Sequence, residues 1–132
     1  MSTKIYFLDC PFVLKLFLQN VAKEQQSKFE GTYLLSGSKV NGHPQWDQEG
    51  ENNAIWYDKN NHWIINDENF IGDAQGMLWN TDSTAPCPNS GIWLFWDWDT
   101  WNWVTPNTND IIFSTSGNPL CTYLKFKYID TI

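Results

Sequence analysis

"AIWYDKNNHWIIN" runs from Ala54 to Asn66. Two apolar arms, Ala54–Asp58 and His62–Asn66, flank the polar Lys59–Asn61. Short runs rich in Ile, Trp and Tyr on either side of a polar turn read as a β-hairpin. The same texture continues from Ser27 onward. Short apolar runs alternate with Asn, Asp and Gly clusters, the pattern of antiparallel β-structure.

Working outward, "GTYLLSG" (Gly31–Gly37) and "GMLWN" (Gly76–Asn80) read as further strands. Asn41–Gly42 is a turn signal, and Pro44 after it suits a sheet edge or a strand start. Thr81–Gly91 is a loop by composition, with Pro86 and Pro88 on either side of Cys87. "DIIFST" (Asp110–Thr115) and "LCTYLKFKYI" (Leu120–Ile129) would complete the sheet. Toward the N-terminus, "PFVLKLFLQNVAKEQQ" places Val13, Leu16, Phe17 and Val21 at helical spacing. Pro11 suits a first helical position, with Asp9 or Cys10 as cap. The expectation is an amphipathic helix over Pro11–Gln26, packed on the sheet or docking to a larger assembly. The fold expected is mainly β: an antiparallel curved sheet or small barrel with one N-terminal amphipathic helix. The chain of 132 residues reads as a single domain, with 1–27 as the helical segment and 28–132 as a Trp-rich β domain.

Composition narrows the partners. The formal net charge is −7, and the chain contains no arginine. No lysine stands between Lys59 and Lys125, where seven Asp and Glu residues lie. Phosphate recognition needs cations or a helix N-terminus, so nucleic acid and anionic membrane surfaces are disfavoured. Neutral polar ligands, cations and other proteins remain. No cofactor is implied. Cys10, Cys87 and Cys121 cannot all pair internally, and neither they nor His43 and His62 show zinc-ligand spacing. Reduced, buried thiols are the expectation; one disulfide with one free thiol is the alternative. "IYFLDCPFVLKLFL" is interrupted by Asp9, Pro11 and Lys15, which argues against a signal peptide or a membrane span. N-x-[ST] sites are absent from the sequence. A cytoplasmic location is therefore expected, with secretion as the alternative.

The densest feature is "WDWDTWNW", Trp96 to Trp103, which holds four of the nine tryptophans. As part of a hairpin over Ile92–Val104 turning at Asp99–Thr100, it sets Trp98 opposite Trp101 and Trp96 opposite Trp103. Alternation along the strands then gathers all four on one face, with Asp97–Asn102 and Phe95–Val104 on the other. A four-residue loop keeps this parity; a three-residue loop divides the cluster. The four rings either cap the core or present a surface for stacking. Trp96, Trp98, Trp101 and Trp103 are the candidate ligand-binding residues, with Asp97, Asp99, Asn102 and Asn107 as polar partners for sugar hydroxyls.

The order Gly31-x-Tyr33, Val40-Asn41-Gly42-x-Pro44-x-Trp46, Ile55-Trp56-Tyr57, Trp63-x-Ile65, Gly76, Cys87-Pro88, Trp93 and Trp101 resembles a Trp-rich β-module. That module recurs as repeated units in large multidomain proteins of protists, algae and marine invertebrates. The resemblance spans about Phe29 to Phe113. It implies a binding or scaffold domain, with no established function and no catalytic residues to carry over. Asn66 stands where the module's pattern has glycine after Trp63-x-Ile65.

Catalytic and metal patterns are weak. Asp97 and Asp99 share a face but sit near a hairpin tip, where paired carboxylates commonly only solvate an edge. "DWDTWN" lacks the glycine and glutamate of an EF-hand, having Asn102 and Thr108 at those places. The reading is a non-catalytic protein-interaction or scaffold domain using a Trp-rich face. A carbohydrate-binding module with a Trp stacking platform is the alternative, and a small hydrolase is a remote one. The partner is a protein or a neutral glycan.

Overall fold

The Asn41–Gly42 turn joins two strands as its sequence implies. Both residues have positive φ, 51° and 81°, and Val40 pairs with His43 across them. That is the geometry a two-residue type I′ hairpin requires. The computed structural model describes residues 10–115. It builds nine strands: β1 (Val13–Leu18), β2 (Gly31–Val40), β3 (His43–Gln48), β4 (Asn53–Tyr57), β5 (Trp63–Asp67), β6 (Leu78–Asn80), β7 (Trp93–Asp97), β8 (Asn102–Val104) and β9 (Ile111–Thr115). They form one antiparallel sheet in the order β8-β7-β6-β5-β4-β3-β2-β1-β9. The path is a meander, except that β9 returns to pair with β1.

The sheet curls into a half-barrel. Trp93 on β7 reaches Phe113 on β9, with ring centroids 5.2 Å apart, although six strands separate β7 from β9 in the order. The register between β2 and β3 shifts between Leu35 and Lys39, and such a bulge bends and twists a strand. Leu14, Leu16, Leu18, Tyr33, Trp46, Ile55, Trp63, Ile65, Leu78, Trp93 and Phe95 fill the concave side. The hairpin over Ala54–Asn66 forms as expected. Tyr57 pairs with Trp63, and Asn61 takes φ 69° at the third position of the turn. This is the common three-residue loop that ends in a left-handed residue.

The expected helix over Pro11–Gln26 is corrected. Residues 13–18 are strand β1, between β2 and β9, and the helix α1 covers only Asn20–Gln26, followed by a 3-10 turn over Ser27–Phe29. Of the four residues placed on the helical face, Leu16 is buried, but Phe17 and Val21 are 45 % and 44 % exposed. The buried set is instead Leu14, Leu16 and Leu18, with a period of two. In "VLKLFL" five of six residues are apolar, so both periods fit, and tertiary pairing decides between them. Short α1 is tied down at its start. Gln19 N donates to Asp110 O at 2.9 Å, and Asn20 Nδ2 donates to Asp110 Oδ1 at 2.8 Å.

The expectation of reduced thiols is also corrected for two of the cysteines. Cys10 and Cys87 form a disulfide, their Cα atoms 5.4 Å apart. They are 77 residues apart in sequence, and only the folded path of the Thr81–Gly91 loop brings them together. Cys121 and the "LCTYLKFKYI" strand lie outside the described residues, as does Asp9.

Indole donors pin the loops. Trp46 Nε1 donates to Pro11 O, Trp56 Nε1 to Asp73 O, Trp63 Nε1 to Ala85 O and Trp93 Nε1 to Pro88 O, all at 2.8–3.0 Å. Tyr57 adds a bond from its hydroxyl to Ser83 O. The aromatic ring fills the core while its polar edge satisfies a loop carbonyl that would otherwise be buried unpaired. Asp82 anchors the start of the 81–91 loop; hydrogen bonds from the Thr84 hydroxyl and amide hold its carboxyl below the usual carboxylate range.

Candidate functional site

The convex face of the sheet is covered over one half and open over the other. After β5, a 3-10 turn (Glu68–Phe70) and the following loop fold back over that face. Phe70 and Ile71 pack on Ala54, Trp56 and Ile64 there, making a small second core. Asn66 holds this loop by donating from Nδ2 to Gln75 O at 3.1 Å. Beyond it lie Trp79 on β6, then Trp96 on β7 and Trp103 on β8. Among the described residues no such loop covers the hairpin rings: Trp98, Trp101 and Trp103 are 49 %, 67 % and 40 % exposed.

The β7–β8 hairpin sets these rings together. Trp96 pairs with Trp103, Asp97 with Asn102 and Phe95 with Val104. The connection is the four-residue Trp98–Trp101, so the parity expected for the cluster is kept. Centroid separations of 5.4–6.1 Å link Trp96 to Trp98, Trp101 and Trp103, and Trp98 to Trp101. Trp79 extends the chain of rings from Trp103, and His62 extends it from Trp79. Interplanar angles within the hairpin cluster run from 59° to 83°. The rings pack in a herringbone, and no two lie in one plane.

The polar residues of this stretch hold the hairpin in shape. Asp97 is buried on the opposite face, and its Oδ1 accepts from Asp99 N at 2.9 Å and Thr100 N at 3.4 Å. Asp99 Oδ2 accepts from Gln25 Nε2, and Gln25 Oε1 accepts from Trp98 N. Gln26, itself buried, donates to Trp96 O. Thus α1 clamps the hairpin from the core side through two glutamines. Asn102 Nδ2 donates to Thr100 O within the turn. Asn107 lies in the β8–β9 loop, where its N–H donates to Asp110 Oδ2.

Trp101 has φ 54°. A bulky residue in the left-handed region costs about 1–2 kcal/mol relative to ordinary backbone. The most exposed ring of the cluster is thus held where glycine or asparagine would be easier to accommodate. Trp79 and His62 join this strip, although the sequence pattern does not mark them as ligand-binding residues. The one available signal was the alternation of "LWN", which puts Trp79 opposite to the buried Leu78 and Asn80.

Among the described residues no group of three or more His, Cys, Asp or Glu gathers as a metal site, and no helix is long and apolar enough to cross a membrane. Comparison with protein-family models, with curated proteins and with solved structures finds no match.

Proposed function

We propose that the chain is a non-catalytic protein-interaction module and that the open half of its convex face, centred on Trp98, Trp101 and Trp103, receives the partner. The observation that carries this reading is the exposure of three contiguous indoles on a hairpin clamped from behind. Together they expose roughly 400 Å² at ~250 Å² per tryptophan. That lies within the ~300–600 Å² of the largest apolar patches on monomers, which are often functional. A protein interface needs about 800 Å² per partner, so the indoles would form its centre and Asp99, Thr100 and Asn102 its rim. Tryptophan at such a centre commonly dominates the binding energy. The herringbone packing gives knobs and clefts that suit side chains of a partner better than the flat face of a polysaccharide. The resemblance to a repeated Trp-rich module agrees with a role in which one domain of many contacts a neighbour. The Cys10–Cys87 disulfide supports an oxidising, extracytoplasmic setting over the cytoplasmic one suggested by the sequence.

The test uses the double variant Trp98→Ala/Trp101→Ala beside a control, Val21→Ala, on exposed α1. Proteins retained by the wild type are identified, and their affinities are measured for all three chains. The reading expects at least one partner whose affinity falls by about tenfold or more in the patch variant and holds in the control. Equal retention of every partner by the patch variant overturns it.

A further inference from the structure

A second open surface lies at the other end of the strand order. Leu14, Leu16 and Leu18 are buried on the concave side, so alternation turns Val13, Lys15 and Phe17 of β1 to the convex side. The register adds their neighbours. Val13 lies opposite Leu34 of β2, and Phe17 lies opposite Ile112 of β9. Thr32 and Ser114 flank Lys15 on its two sides. Phe17 and Leu34 are 45 % and 38 % exposed. One lysine thus stands at the centre of four apolar side chains. Among the described residues Lys15 has no acidic partner, whereas Lys23 pairs with Glu30 at 3.2 Å.

Charge divides along the chain in the same sense. Residues 10–46, which supply β1, α1 and β2, carry four lysines and two glutamates. Residues 47–115, which supply the tryptophan hairpin, carry one lysine and eleven acidic residues. At the hairpin tip Asp99 is exposed between the exposed Trp98 and Trp101. Its Oδ2 accepts from Gln25 Nε2, and a carboxylate has capacity for further donors.

The two surfaces are complementary. The tip offers one carboxylate among indoles, and the β1 face offers one ammonium among apolar side chains. An ammonium is drawn both to a carboxylate and to the face of a tryptophan. Val13, Phe17, Leu34 and Ile112 supply apolar area for the indoles to cover. Both surfaces are exposed in the same molecule, so neither fills the other within one chain. Tip against tip would set Asp99 against Asp99, and like charges across an interface are costly. We infer that the tip docks on a second copy of this chain, with Trp98, Asp99 and Trp101 of one copy seated on Lys15, Phe17 and Leu34 of the next. This rests on the docking reading above and names its partner. The contact joins two different surfaces, so copies close into a ring or run on in a row. The small exposed area fits a weak contact that depends on concentration.

The test is sedimentation velocity of the full chain from about 10 μM to about 1 mM, the range in which weak complexes populate. The wild type should associate as concentration rises. The tip variant Trp98→Ala/Trp101→Ala and the face variant Lys15→Glu should each weaken association about tenfold or more. Phe17→Thr, a second face variant that keeps a β-branched residue in the strand, should do the same. Urea unfolding confirms that each variant is folded. The decisive sample mixes the tip variant with the Lys15→Glu chain, at a concentration where each alone is monomeric. One intact tip and one intact face then remain, so a 1:1 dimer and nothing larger should form. A wild type that stays monomeric at about 1 mM overturns the inference and leaves the docking reading to its own retention test. Association lost in the tip variant but kept in both face variants also overturns it, while supporting the tip as a docking surface. A mixture that forms no dimer overturns it as well.

Discussion

Trp96 lies opposite Trp103 across the β7–β8 hairpin, with ring centroids 5.4 Å apart and planes at 72°. From this pair the exposed rings of Trp98 and Trp101 extend toward the tip, and Trp79 and His62 extend across the sheet. The convex face is therefore an aromatic strip with its polar supports on the other side.

Trp101 has both the greatest exposure among these rings and a left-handed backbone. Trp101→Asn relieves the backbone cost and loses ring contacts worth about 0.5–1.5 kcal/mol. Stability measured by urea unfolding should be unchanged or rise by up to about 1 kcal/mol, while partner binding falls. A loss above about 2 kcal/mol would place Trp101 among residues kept for stability.

Deleting one indole donor separates the two populations of tryptophan. Trp63→Phe leaves Ala85 O without its buried partner and should cost about 2–3 kcal/mol, with the 81–91 loop loosened. Trp98→Phe should change stability by less than about 0.5 kcal/mol. Equal losses in the two variants would contradict the division.

Much of this architecture was legible before the structure. The Asn41–Gly42 turn, the hairpin over Ala54–Asn66 and the shared face of Trp96 and Trp103 follow from local turn chemistry and a period of two. Val13–Leu18 was misread because a run of nearly continuous apolar residues satisfies both periods, and only pairing with β2 and β9 tells them apart. The Cys10–Cys87 bond was hidden because spacing alone carries no information about a contact made across 77 residues. The place of Trp79 beside Trp103 and His62 needed the strand register, which is not local.

The disulfide closes a large loop. Its removal in Cys10→Ser/Cys87→Ser should lower stability by about 2–4 kcal/mol, chiefly by freeing the unfolded chain. Urea unfolding with and without a reductant measures this; identical midpoints would count against the bond. The hairpin tip, held by Gln25 and Gln26 of α1, should keep its partner affinity in the folded variant.

Tyr33 is fully buried, its hydroxyl donating to Phe29 O at 2.7 Å with Gln48 Oε1 at 3.2 Å. Burial pushes its phenol pKa well up, and burial followed by the Asp58 charge raises that of Tyr57. A raised native pKa means that the unfolded chain loses the proton first. Stability is then full below the unfolded tyrosine value of about 10 and declines as pH rises above it. Tyr33→Phe should be less stable at neutral pH and show a shallower alkaline decline. A parallel decline in both chains would remove Tyr33 as the cause.

The division of the tryptophans is tested most directly by hydrogen exchange at the indole N–H groups, resolved by NMR. The signals of Trp46, Trp56, Trp63 and Trp93 should exchange slowly, because each is bonded to a loop carbonyl. Those of Trp98, Trp101 and Trp103 should exchange at nearly the rate of free indole, leaving that face open to a partner. Protection of these three comparable to that of Trp63 would mean that they belong to the core, and the binding surface proposed for them would not exist.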